Sequence, residues 1–92
     1  MTHYLLDTHT FLWTLFESTR LSVQVRSILS DCENTVYVSS VTFWEISLKF
    51  HLGKLELETY TPERLLHLAK ELDFLILPIN QKKRLISIAY QK

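Results

Sequence analysis

Thr35-Val36-Tyr37-Val38 runs directly into Ser39-Ser40-Val41-Thr42-Phe43-Trp44-Glu45-Ile46-Ser47-Leu48-Lys49-Phe50-His51-Leu52-Gly53, and that change of pattern decides the fold. The first four residues are β-branched or aromatic, the composition of a strand. Ser39 or Ser40 then offers a hydroxyl to cap a helix. From Val41 to Leu52 apolar side chains cover most of a helical wheel, so the helix is expected to be largely buried. Gly53 suits the left-handed residue that closes it.

Working outward, Tyr4-Leu5-Leu6-Asp7 is apolar on successive residues, as expected of a strand buried on both faces in a parallel sheet. Asp7 or Thr8 can cap a helix carrying Phe11, Leu12, Trp13 and Phe16. Ser22 can cap a second helix that runs to about Asp31. Downstream, Thr61-Pro62-Glu63 combines a cap, a proline in the first helical position and an acid in the first turn. The helix it starts should carry Leu65, Leu66, Leu68, Ala69 and Leu72. Phe74 to Leu77 reads as a third strand ended by Pro78. Asn80 then caps an expected last helix with Leu85, Ile86, Ile88 and Ala89 on one face. Strands alternating with helices predict an α/β domain with a short parallel sheet of about three strands and right-handed crossovers.

The 92 residues allow a single domain, residues 1–92. Ten basic and ten acidic residues cancel, so net charge alone draws no polyanion. The balance is uneven along the chain, however, and Lys82, Lys83 and Arg84 fall in a tail without acids. That tail is either a solvated basic face or a phosphate-facing patch. The lone Cys32 permits neither an intrachain disulfide nor a thiolate zinc site. With one glycine no Gly-rich phosphate loop is available. Thr8 to Phe16 is uncharged but far shorter than the ~20 residues that cross a bilayer. With no signal-peptide pattern, the chain is expected to be cytoplasmic and free of membranes.

Ligands of open parallel sheets collect outside the carboxyl ends of the strands. Asp7 ends the first strand there, and Ser39 and Ser40 end the second. On the helix that follows, Thr42, Glu45 and Lys49 fall within one narrow polar sector. Each carboxylate also has an ordinary role: Asp7 as a helix cap, Glu45 as the i,i+4 ion-pair partner of Lys49. Two carboxylates following consecutive crossover strands nevertheless suggest a shared site, with Glu45 facing a cleft toward Asp7. Hard oxygens of this kind suit Mg²⁺ or Mn²⁺. His9 reads better as a surface or capping residue than as a site residue.

The stretches Tyr4-Leu5-Leu6-Asp7-Thr8-His9-Thr10-Phe11-Leu12-Trp13 and Val38-Ser39-Ser40-Val41-Thr42-Phe43-Trp44-Glu45-Ile46-Ser47-Leu48-Lys49, with Gly53-Lys54-Leu55 after them, resemble the first two motifs of PIN-domain toxins of the VapC type. Leu75-Ile76-Leu77-Pro78-Ile79 is similar to that family's third strand. The resemblance implies a three-layer PIN-like fold with strand order 3-2-1-4-5. It implies the toxin half of a type II toxin–antitoxin pair, a Mg²⁺- or Mn²⁺-dependent endoribonuclease that dimerises and is silenced by a cognate antitoxin. Asp7 and Glu45 match the catalytic, metal-holding carboxylates. Thr8 and Ser40 match neighbours that orient them, and Lys49, Lys82, Lys83 and Arg84 are the cations to meet RNA.

The family continues with an Asp-Pro-Phe-Asp-Arg-like motif, another strand and a further acid, and the 92 residues stop before these. The resemblance thus implies a domain incomplete at its C-terminus, lacking the C-terminal strands and two of the acids, with the ion weakly bound. The alternative is a catalytically inactive remnant that keeps only antitoxin or partner binding. In either case the first strand should be an exposed edge, prone to pairing with another chain together with the last helix.

Overall fold

The computed structural model describes residues 2–78 and 85–88. Four parallel strands, β1 (His3–Leu6), β2 (Thr35–Ser39), β3 (Leu75–Leu77) and β4 (Ile86–Ile88), form one sheet in the order β3-β2-β1-β4. Helices α1 (Thr8–Phe16) and α2 (Val23–Ser30) connect β1 to β2, with a 3₁₀ turn at Ser18–Arg20 between them. Helices α3 (Ser40–His51) and α4 (Pro62–Glu71) connect β2 to β3. Among the described residues no helix is long and apolar enough to cross a membrane.

Local chemistry sets these boundaries. Asp7, Ser22, Ser39 and Thr61 each cap the helix that follows with a side-chain oxygen, satisfying amides that have no partner within the helix. α3 closes at Gly53, whose φ of 73° is natural for glycine. There Lys54 N–H bonds Lys49 O at 2.9 Å and Gly53 N–H bonds Phe50 O at 3.1 Å, the paired bonds of a Schellman closure. α4 closes the same way, but the left-handed position is filled by Asp73, at φ 63°.

The core lies between the sheet and these helices. Leu6, Val36, Val38 and Ile88 share a buried cluster with Phe11, Ile46, Leu57, Leu65, Ala69 and Phe74. Phe11 sits edge-on to Phe43 at 5.3 Å and to Phe74 at 6.4 Å between centroids, so one ring ties α1 to α3 and to the entry of β3.

Four expectations are corrected. α3 is not largely buried: Thr42 and Ile46 are inside, while Val41, Trp44, Leu48 and Leu52 stand exposed, because only one side of the helix packs on the core. The sheet has four strands, not about three. Ile86, Ser87 and Ile88 are not part of a last helix but form β4, in register with Tyr4, Leu5 and Leu6. β1 is therefore an interior strand with a neighbour on each side rather than an exposed edge. The physical cause is that a strand as apolar as Tyr4-Leu5-Leu6 needs backbone partners on both sides. The β-branched, alternating Ile86-Ser87-Ile88 supplies one of them, burying Ile88 and leaving Ile86 exposed. The expected cap at Asn80, the helical Ala89 and the basic cluster Lys82, Lys83 and Arg84 lie outside the described residues.

Candidate functional site

Register places the candidate residues together. Leu6 pairs with Val38, so Asp7 and Ser39 leave adjacent parallel strands at the same edge. Asp7 is fixed twice through the fold. Its N–H bonds Ile88 O of β4 at 3.1 Å, and its Oδ1 accepts the Thr10 N–H at 2.8 Å as the cap of α1. The next residue, Thr8, reaches across to α3. Its Oγ1 donates to Glu45 Oε1 at 2.8 Å and lies 3.3 Å from Thr42 Oγ1. One hydroxyl carries one proton; the shorter, charge-assisted bond to the carboxylate takes it, and Thr42 donates to Thr8 in turn. Thr42 is buried, so this relay is held firmly on the α3 side.

The other carboxylate oxygen, Glu45 Oε2, meets Lys49 Nζ at 3.3 Å, one helical turn on. Glu45 is accordingly held below the ordinary value of 4.5. The Thr8 hydroxyl is the main cause; partial burial opposes it, and the Lys49 ammonium and the charge of His9 reinforce it. A pKa lowered by folding adds stability that is fully present above the unfolded value, near 4.5, and is lost as pH falls through the folded value. Thr8→Val removes the largest contribution. We expect the Glu45 carboxyl titration, followed by carbon-detected NMR, to move upward in that variant. The stability gap between variant and wild type should be widest above pH 4.5 and close in acid. An unmoved titration would mean that the hydroxyl does not act on Glu45.

The donors suit a hard divalent cation by type, because Asp7 and Glu45 offer carboxylate oxygens and Glu45 is kept ionised. They are few in number: among the described residues no three His, Cys, Asp or Glu side chains come together as a metal-holding group. Thr8 stands where a residue orienting Glu45 is expected. Ser40 Oγ is buried, and among the described residues it has no hydrogen-bond partner. Lys49 joins the site through Glu45. Two participants were missed by the sequence reading. Thr42 lies in the same polar sector as Glu45, a signal that was available. His9, set aside as a surface histidine, acts on Glu45 through its charge.

A concavity of about 480 Å³ lies elsewhere, lined by Tyr4 of β1, Trp13 of α1, Arg20, Val25 of α2 and Ile86 of β4. Neither Asp7 nor Glu45 lines it. No family model matches the chain, and no curated protein or solved structure matches it.

Proposed function

We propose that this chain is a PIN-domain toxin of the VapC type, the metal-dependent endoribonuclease of a type II toxin–antitoxin pair acting in the cytoplasm. The observation that carries the reading is the Thr8–Glu45 hydrogen bond. It joins the two resembling motifs at the carboxyl edge of a parallel sheet and keeps Glu45 anionic beside the end of β1. Four strands in the order β3-β2-β1-β4 are compatible with the PIN-like arrangement. Asp7 and Glu45 would hold Mg²⁺ or Mn²⁺. When bound, the ion supplies an acidified water for attack on a phosphodiester and charge for the leaving oxygen. Thr8 and Thr42 position Glu45, and Lys49 offsets phosphate charge, with Lys82, Lys83 and Arg84 as further RNA contacts. Only two carboxylates are assigned to an ion that gives up its waters reluctantly, so binding would be weak. That same count favours a second reading, a protein without catalytic activity that binds an antitoxin.

Calorimetric titration with Mn²⁺ and Mg²⁺, beside an RNA-cleavage assay, decides between the two. Asp7→Asn is the informative variant, because Asn caps a helix as well as Asp does. It should leave thermal stability nearly unchanged while lowering divalent affinity and cleavage by about 100-fold or more, the scale of losing a metal-holding charge. Glu45→Gln should do the same. No divalent binding at millimolar concentration would favour the binding-only reading. Cleavage that survives both variants would remove this site from the chemistry.

A further inference from the structure

The two oxygens of Glu45 are held in different ways. Oε1 accepts from Thr8 of α1 at 2.8 Å, a bond between two helices that the packing of the fold keeps in place. Oε2 is met from within its own helix, by Lys49 Nζ at 3.3 Å. That contact is longer than the ~2.7–2.9 Å of a strong charge-assisted bond. The two side chains are also partly open to water, Lys49 by 48% and Glu45 by 40%, and an ion pair in such surroundings contributes little. Lys49 is thus a cation resting lightly on a carboxylate that Thr8 fixes.

A divalent ion on Glu45 needs the same oxygen. Mg²⁺ takes carboxylate oxygen at about 2.0–2.1 Å. With Oε1 turned to Thr8, Oε2 is the atom that can hold an ion without giving up that bond. A dication there and an ammonium 3.3 Å from the same atom would lie within a few ångströms of each other, and like charges that close repel. We propose, resting on the metal-site reading above, that Lys49 is the resident counter-ion of this site: its ammonium stands at Glu45 in place of the metal, and a divalent ion enters by displacing it. Lys49 thereby sets the affinity of the site for the ion. Its two charges act in sequence, first on Glu45 and, once released, on the phosphate of the substrate.

Calorimetric titration of the full chain with Mn²⁺ at low salt tests the exchange. Lys49→Met keeps the reach of the side chain and removes its charge. It should bind Mn²⁺ about three- to tenfold more tightly than wild type, a range that runs from the loss of an exposed ion pair to close repulsion between the charges. Lys49→Arg keeps the charge and should bind no more tightly than wild type. Lys70→Met removes an exposed charge on α4 and should leave the affinity within about twofold, which separates a local effect from a change in net charge. As Mg²⁺ is added to wild type, the Lys49 side-chain resonances should move toward their positions in Glu45→Gln, where the ion pair is absent. Equal Mn²⁺ affinity in wild type and Lys49→Met overturns the displacement and leaves the metal site standing. So does tightening shared by Lys70→Met, or Lys49 resonances that stay in place while Mg²⁺ binds. No Mn²⁺ binding in either wild type or Lys49→Met removes the metal-site reading and the displacement with it.

Discussion

Phe11→Ala should cost about 3–5 kcal/mol, the range found when a buried aromatic ring is removed and the cavity only partly collapses. Total stability of a small domain is about 5–15 kcal/mol, so this one change removes a large share of it. Phe11 is completely buried, and its ring meets those of Phe43 and Phe74 edge-on. Those three residues come from α1, α3 and the start of β3, segments far apart in sequence. The ring thus closes contacts across the whole helical layer, and the site depends on the same closure. Thr8, three residues before Phe11 on α1, reaches Glu45 only while α1 and α3 stay packed. Urea unfolding followed by tryptophan fluorescence would show the midpoint fall. Phe11→Leu, which keeps most of the volume, should lose clearly less. A loss below about 1 kcal/mol for Phe11→Ala would mean that the aromatic cluster is not the keystone of the core.

How far the sequence leads depends on which forces act locally. Helix starts were legible because they rest on a few adjacent residues: Ser22, Ser39 and Thr61 each cap the helix expected after them. Gly53 closes α3 because glycine alone takes a positive φ without penalty. The closure of α4 was harder to see, since Asp73 fills a place usually held by glycine. β4 was not legible at all. Leu85, Ile86, Ile88 and Ala89 fit a helical spacing as well as Ile86-Ser87-Ile88 fits a strand, and three residues carry too little periodicity to decide. What selects the strand is non-local, the unpaired side of β1 more than eighty residues earlier.

The site divides in the same way. Asp7 and Glu45 could be placed at one edge from chain order alone, because each follows a crossover strand. The bond that joins their segments could not, because it depends on the rotation of α3 about its axis. That rotation is set by burial of Thr42 and Ile46. Once Thr42 is inside, Glu45 one turn later must lean toward the start of α1, where Thr8 waits. His9 follows from the same rotation: its charge bears on Glu45 because α1 begins beside α3, which no spacing between the two residues reveals.

Ile88→Asp is expected to have an effect as large as Phe11→Ala, and a different character. Ile88 is buried in the cluster that includes Leu6, and a carboxylate there would be unpaired in apolar surroundings. The loss of apolar burial and the cost of the charge together should exceed about 3 kcal/mol, enough to detach a strand of three residues. Detachment would expose the backbone of β1 as an apolar edge, the arrangement that draws other chains into pairing. The variant should therefore aggregate rather than unfold to a soluble monomer. It should also reach the site. Asp7 N–H donates to Ile88 O, so hydrogen exchange at that amide should accelerate when β4 leaves. Ile88→Val, which keeps the branched shape, should cost only about 0.5–1.5 kcal/mol and leave the Asp7 amide protected. Light scattering and exchange at Asp7 read the two consequences separately. If Ile88→Asp remains monomeric with a protected Asp7 amide, β4 does not hold the edge of β1.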